Sequence, residues 1–258
     1  MKKVVLSFDD GRLDTFTNAI QILKKYGLTA TINIATDFVE NETHYLNFCS
    51  ADNKSMTREM VIETFNDEFE IACHGDKHNN SYDDIVCGIR KLKAWGVVKE
   101  KVGFASPYSA MTKDNCNDVR RLIDEGVVSY IRSGYQIRRK SALFKIGYFV
   151  EEILHSKYLF YLLNKEICRP IKGDNNFYIG VTTNNNTKFE QIKYLIEKVP
   201  DNSHVILILH SIISEESPGF GKDKWYMTID TFNKLCFYLK QKDDVEVITN
   251  YELVNSKG

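Results

Sequence analysis

The feature that most constrains this chain is an alternation. Short runs rich in β-branched and apolar residues are separated by stretches of helical periodicity, almost from the first residue to the last. The runs are Lys3 to Phe8, Leu28 to Ile34, Glu70 to Cys73, Val102 to Ala105, Val127 to Ile131, Asn176 to Gly180, Val205 to Leu209 and Val245 to Ile248. Helical patterns cover 57–67, 81–94, 112–125, 187–198 and 228–241, after an opening helix from about Leu13 to Tyr26. In that first helix Phe16, Ile20 and Leu23 share one face, and Gly27 stops it. Strands that alternate with helices pair in parallel, so the pattern predicts an α/β protein built from βα units. No linker rich in Pro, Gly or Ser divides the series, and no repeat of fixed period appears. One domain over 1–258 is expected, a length that suits a single barrel, with an apolar and basic stretch from Ser141 to Ile167 forming a helical insertion within 135–175.

Charge removes some classes of partner. The 34 Lys and Arg against 35 Asp and Glu give a net charge of −1, which leaves no basic surplus for nucleic acid or an anionic membrane. Met1-Lys2-Lys3 begins like a signal peptide, yet Ser7 and Asp9-Asp10 interrupt the apolar run that follows. A cytoplasmic protein is the expectation if Met1 is the native start. The six cysteines, at 49, 73, 87, 116, 168 and 236, include no Cys-x-x-Cys pair, which fits reduced thiols better than a zinc ribbon or a dithiol.

The residues that end the strands carry the chemistry. Asp9-Asp10-Gly11 ends the first run, His74 the third, Pro107-Tyr108 follows the fourth, Arg132 the fifth, and His210 ends the seventh. In a closed parallel barrel these ends share one face, where the βα loops build active sites. His74-Gly75-Asp76-Lys77-His78 sets two imidazoles four residues apart, close enough to meet one ion. A carboxylate from Asp9 or Asp10 would complete two histidines and one carboxylate with an open position, the donor set of catalytic zinc. Of two adjacent aspartates one can coordinate while the other accepts a proton from water. His44, His155 and His204 lie outside this pattern, and strand alternation turns Cys73 away from His74.

These residues resemble a known family. Ser7-Phe8-Asp9-Asp10-Gly11 and Glu70-Ile71-Ala72-Cys73-His74-Gly75-Asp76-Lys77-His78 look like the first two motifs of the NodB-like polysaccharide deacetylases, carbohydrate esterase family four. Phe104-Ala105-Ser106-Pro107-Tyr108 is similar to their third motif and Ile208-Leu209-His210 to their last, while Trp225 to Tyr251 resembles the closing helix and strand. The resemblance implies a distorted (β/α) barrel of about seven strands that removes an N- or O-linked acetyl group from a sugar or glycan precursor with one divalent metal ion, zinc being the expectation. Carried over by position, Asp9 is the general base, Asp10, His74 and His78 are the metal ligands, and His210 is the general acid. The backbone N–H of Tyr108 is the oxyanion donor and Pro107 shapes its loop. Trp225 and Tyr226 are candidates for the wall of the leaving-group pocket.

The chain also departs from the family. The third motif usually begins with an Arg that pairs with the catalytic Asp, and here that position is Ala105. Arg132, ending the next strand, is the candidate to supply the guanidinium from one position around the barrel, through a bidentate pair. The acidic residue that orients His210 has no clear match, with Asp223, Asp230 and Glu216 as candidates. Two rivals follow: a catalytically silent carbohydrate-binding barrel, and a hydrolase of another C–N bond such as a formamide or ring amide. The sugar, its linkage and the oligomeric state are not written in the sequence.

Overall fold

Seven of the predicted runs close on themselves as a parallel barrel. The computed structural model describes residues 1–41, 54–98, 101–111, 117–135, 140–170, 176–222 and 224–256. In chain order the first half runs β1 (Lys2–Phe8), α1 (Gln21–Tyr26), β2 (Thr31–Ile34), α2 (Thr36–Glu40), α3 (Arg58–Asn66), β3 (Glu70–Cys73), α4 (Tyr82–Trp95), β4 (Val102–Ala105), α5 (Asn117–Asp124) and β5 (Val128–Gly134). The second half runs α6 (Ala142–Leu154), α7 (Lys157–Asn164), β6 (Arg169–Pro170), β7 (Phe177–Thr182), α8 (Phe189–Lys198), β8 (Ser203–Leu209), β9 (Ser211–Ile213), β10 (Tyr226–Thr228), α9 (Ile229–Lys240), β11 (Val245–Val247) and α10 (Asn250–Asn255). The hydrogen-bonded order β1-β2-β3-β4-β5-β7-β8 returns to β1, so the barrel has seven strands.

The barrel is distorted at β1. One of its edges pairs with β8 along the whole of Lys3 to Phe8, but the other is shared. There β11 takes Lys2 to Val4 and β2 takes only Ser7 and Phe8. The eighth predicted run is therefore outside the ring, filling the edge that β2 leaves open.

Alternation along each strand divides two apolar layers. Val4, Leu6, Phe8, Ile71, Cys73, Leu207 and Leu209 face outward into the core beneath the helices. Val5, Ala72, Tyr130, Tyr178 and Ile206 face inward, closed from below by Leu253 and Val254 of α10. The lower interior also holds a polar tie: Tyr130 Oη donates to Glu70 Oε1 at 2.7 Å, and Glu70 Oε2 accepts from Thr31 Oγ1 at 2.7 Å and from the Tyr251 N–H at 2.9 Å. Tyr130 fits only because its neighbour is Gly103, where a Cβ would stand 2.0 Å from the tyrosine ring.

Local differences from the sequence expectations have local causes. The first helix opens as a π-helical turn over Thr15–Ile20 before α1, and Gly27 ends it in the left-handed region. The basic, apolar stretch is two helices, α6 and α7, broken at His155, whose φ of 49° ends α6. Residues 112–116 of the predicted 112–125 helix, together with His44, Cys49, Cys116 and Asp223, lie outside the described residues. No helix among the described residues is long and apolar enough to cross a membrane.

Candidate active site

At the C-terminal mouth of β1 the chain turns sharply, with Asp10 at φ 77° and Gly11 at φ 70°. Left-handed backbone disfavours an aspartate, and here it aims two consecutive carboxylates into the barrel mouth. Four of the eight described non-glycine residues of positive φ stand at this mouth: Asp10, His78, Tyr108 and Ser109.

Asp10 is buried, and its two oxygens do different work. Oδ2 accepts from Arg12 Nε at 2.9 Å and lies 2.7 Å from Arg12 Nη2, while Arg12 Nη1 donates to Ser211 Oγ at 2.9 Å. Oδ1 faces His74 Nε2 at 3.4 Å and His78 Nε2 at 3.3 Å. Burial alone would raise the Asp10 pKa, but the Arg12 guanidinium and the two imidazoles hold it well below the usual carboxylate range. Arg12 was not foreseen. Its only signal was a charged residue directly after Asp-Asp-Gly.

The imidazoles are held from behind. His74 Nδ1 lies 2.8 Å from the Ala105 carbonyl, which only accepts, so Nδ1 carries a proton and Nε2 is the nitrogen turned toward Asp10. The loop to His78 is shaped by Asp84 in the first turn of α4, whose carboxylate accepts from the N–H groups of Asp76 at 2.9 Å, Lys77 at 2.9 Å and Asn79 at 3.2 Å. Gly75, at φ 82°, makes room, because a Cβ there would meet Asp84 Oδ2 at 2.5 Å. Asn80 fastens this loop to the next one, donating to the Pro107 carbonyl at 3.0 Å.

The ligand atoms of Asp10, His74 and His78 lie within 4.8 Å of one another. Two imidazole nitrogens and one carboxylate oxygen, all buried and converging, fit a divalent ion such as zinc better than an all-oxygen cation site.

Asp9 sits beside this cluster. Its Oδ1 accepts from Arg132 Nη2 and, at 2.9 Å, from Asn33 Nδ2, while its Oδ2 is 4.0 Å from His74 Nε2. Arg132 lies within β5, not beyond its end, and pairs in register with Ala105. It is completely buried, and the contact is end-on: Nε and Nη1 make no hydrogen bond among the described residues. The expected bidentate pair does not form, because Asn33 shares Oδ1 and Oδ2 is turned toward His74.

His210 closes the far side, its ring 5.3 Å from Trp225. Burial pushes its pKa down to about 4, although the Asp10 and Asp9 carboxylates oppose this. Among the described residues its buried Nδ1 has no hydrogen-bond partner. Glu216 is exposed, and Asp230 is exposed and pairs with Lys234, so neither orients the ring. The Tyr108 ring lies 4.5 Å from that of His78. Tyr108, His210 and Trp225 all line a cleft of about 560 Å³ with Asp9, Asp10, His74 and His78, and α6 adds Tyr148 and Glu152. Pro107 is buried behind this lining, and Tyr226 packs against Phe220 with its hydroxyl accepting from the Gly221 N–H.

Fold and mouth together define a seven-stranded α/β barrel with a buried Asp-His-His cluster, flanked by an aspartate and a histidine. Residues 1–123, a little under half of the chain, match the sequence model of the polysaccharide deacetylases. Its fold is similar to a family 4 acetyl xylan esterase from Clostridium thermocellum, solved in complex with a cobalt ion. The identity is 16%, with 98% of this chain and 90% of that one covered and a TM-score of 0.54. A peptidoglycan deacetylase from Bacillus subtilis aligns at 12% identity over 99% of this chain and 92% of that one, with a TM-score of 0.50. No curated protein sequence matches the chain.

Proposed function

We propose that this protein is a metal-dependent hydrolase that removes an N- or O-linked acetyl group from a sugar or glycan precursor. The observation that carries the reading is the buried guanidinium of Arg132 against Asp9. A chain that has lost the family's usual arginine at Ala105 still places an arginine on the aspartate that matches the general base.

A divalent ion held by Asp10, His74 and His78 would supply Lewis acidity toward the acetyl carbonyl and the attacking water. Asp9 accepts the proton of that water, held in position by Arg132 and Asn33. The backbone N–H of Tyr108 donates to the oxyanion as the carbonyl becomes tetrahedral. The leaving nitrogen or oxygen needs the proton that Asp9 has taken. His210, neutral at rest because burial pushes it down to about 4, picks that proton up and delivers it. The products are acetate and the free amine or hydroxyl. Tyr108 and Trp225 bracket the cleft with flat aromatic surfaces suited to a sugar ring.

The test is acetate release from N-acetylglucosamine oligomers and from O-acetylated xylose oligomers by zinc-loaded protein, with an N-formyl sugar alongside. Acetate from either acetylated series supports the reading. Release of formate alone, or of nothing, overturns it.

A further inference from the structure

Helix α6 has a second face that the catalytic reading does not use. Leu143, Ile146, Phe149 and Ile153 recur at three- and four-residue spacing and are between 59% and 81% exposed. Leu154 and, on α7, Tyr158 and Leu162 continue the patch. Among the described residues the two helices of this one hairpin hold most of the large hydrophobic side chains left in solvent. A contiguous apolar surface of that kind marks an interaction site.

The charges around it are segregated. Lys145 on α6 and Lys165 after α7 are exposed, and Lys157 at the start of α7 is half-buried over the Tyr158 ring. The carboxylates of α6 point the other way: Glu151 is buried and accepts from Gln191 Nε2, and Glu152 lines the catalytic cleft. The nearby exposed Glu166 is held by Lys140 and the Tyr135 hydroxyl. The outer surface of the hairpin is thus apolar with a lysine rim, which the whole-chain balance of −1 conceals. In a symmetric dimer this patch would meet itself and set lysines against lysines. An anionic bilayer answers both features, since acyl chains take the apolar stripe and headgroups take the ammonium groups.

We propose that the α6–α7 hairpin seats this protein on an anionic membrane surface. The inner side of the same helix carries Tyr148 and Glu152 into the cleft, so docking would hold the cleft beside the bilayer. Resting on the deacetylase reading, this makes the substrate class a glycan carried on a lipid anchor.

The experiment is co-sedimentation of the full chain with vesicles of phosphatidylglycerol and phosphatidylethanolamine, and with vesicles of phosphatidylcholine alone. The full chain is expected to pellet with the anionic vesicles and to remain in solution with the zwitterionic ones. Ile146→Asp or Phe149→Asp should lower the bound fraction about tenfold, and Lys145→Glu with Lys165→Glu, or high salt, about threefold or more. None of these residues lines the cleft, so acetate release from a water-soluble sugar should be unchanged. Protein that stays in the supernatant with anionic vesicles overturns the proposal, as does a stable dimer that the same aspartate substitutions dissociate. Vesicle binding without acetate release from any substrate would instead refute the proposed activity and leave the docking intact.

Discussion

Arg132 stands directly beside Ala105 in the β4–β5 register, and its guanidinium reaches Asp9. Both side chains occupy the inner face of the barrel, so an arginine moved by one strand arrives at the same carboxylate. Adjacent strands lie about 5 Å apart, a distance that a long flexible side chain spans easily.

Replacing Arg132 should therefore affect catalysis and leave metal binding alone. Arg132→Ala is expected to lower kcat by about 10² at unchanged metal content, as when the partner that positions a general base is lost. Arg132→Lys should recover only part of this, because the shorter lysine stem holds its ammonium back from the position where Nη2 meets Asp9 Oδ1. The double variant Ala105→Arg/Arg132→Ala should turn over faster than Arg132→Ala alone. Steady-state kinetics with metal analysis on each protein checks all three.

Asp84 contacts no candidate metal ligand through its side chain, yet it gathers three N–H groups of the loop between His74 and His78. Asp84→Ala should weaken zinc affinity about tenfold or more while all three ligands remain, in the range seen when outer partners of metal ligands are removed. Competition with a chelating dye gives the affinity.

Gly103→Ala would drive a methyl group to 2.0 Å from the Tyr130 ring inside the barrel. The strand cannot retreat from both of its neighbours, so a loss of about 3 kcal/mol is expected. Tyr130→Phe, which gives up the hydroxyl's bonds to Glu70 and Asn250 without moving the ring, should cost about 1 kcal/mol. Urea unfolding of the two variants ranks them.

Much of this was legible before any coordinates. The seven barrel strands announce themselves because parallel strands buried on both faces read as short apolar runs, and the mouth residues interrupt those runs at their C-terminal ends. Arg132 was legible for a different reason, since Ala105 left a role vacant and only one strand-end arginine lay nearby. Arg12, Asn33 and Asp84 were not. Arg12 reaches Asp10, two residues back, only because Asp10 and Gly11 turn through the left-handed region, and that turn has no local sequence signal beyond the glycine. Asn33 and Asp84 act on residues 24 and 8 positions away, across strands and loops whose approach no periodicity encodes. The run Val245 to Val247 looks like any other strand, and its place outside the ring follows from β2 pairing with only two residues of β1.

His210 makes stability depend on pH. Its pKa falls from about 6.5 to about 4 on folding because burial disfavours the charged ring. As pH drops below about 6.5 the unfolded chain binds a proton that the folded chain refuses, so stability falls until about pH 4 and this contribution then levels off. Over that window the loss is about 3 kcal/mol, and it should vanish in His210→Asn. Urea unfolding of both metal-free proteins at pH 7 and pH 4.5 measures the difference.

The central claim is that this barrel catalyses with Asp9 as its base. The direct measurement is acetate release by wild type and Asp9→Asn, each reconstituted with zinc and matched for bound metal, on the same N-acetylglucosamine oligomer. The account predicts equal metal content and a rate lower by about 10² or more in Asp9→Asn. Equal rates in the two proteins, or no acetate from zinc-loaded wild type, would contradict it.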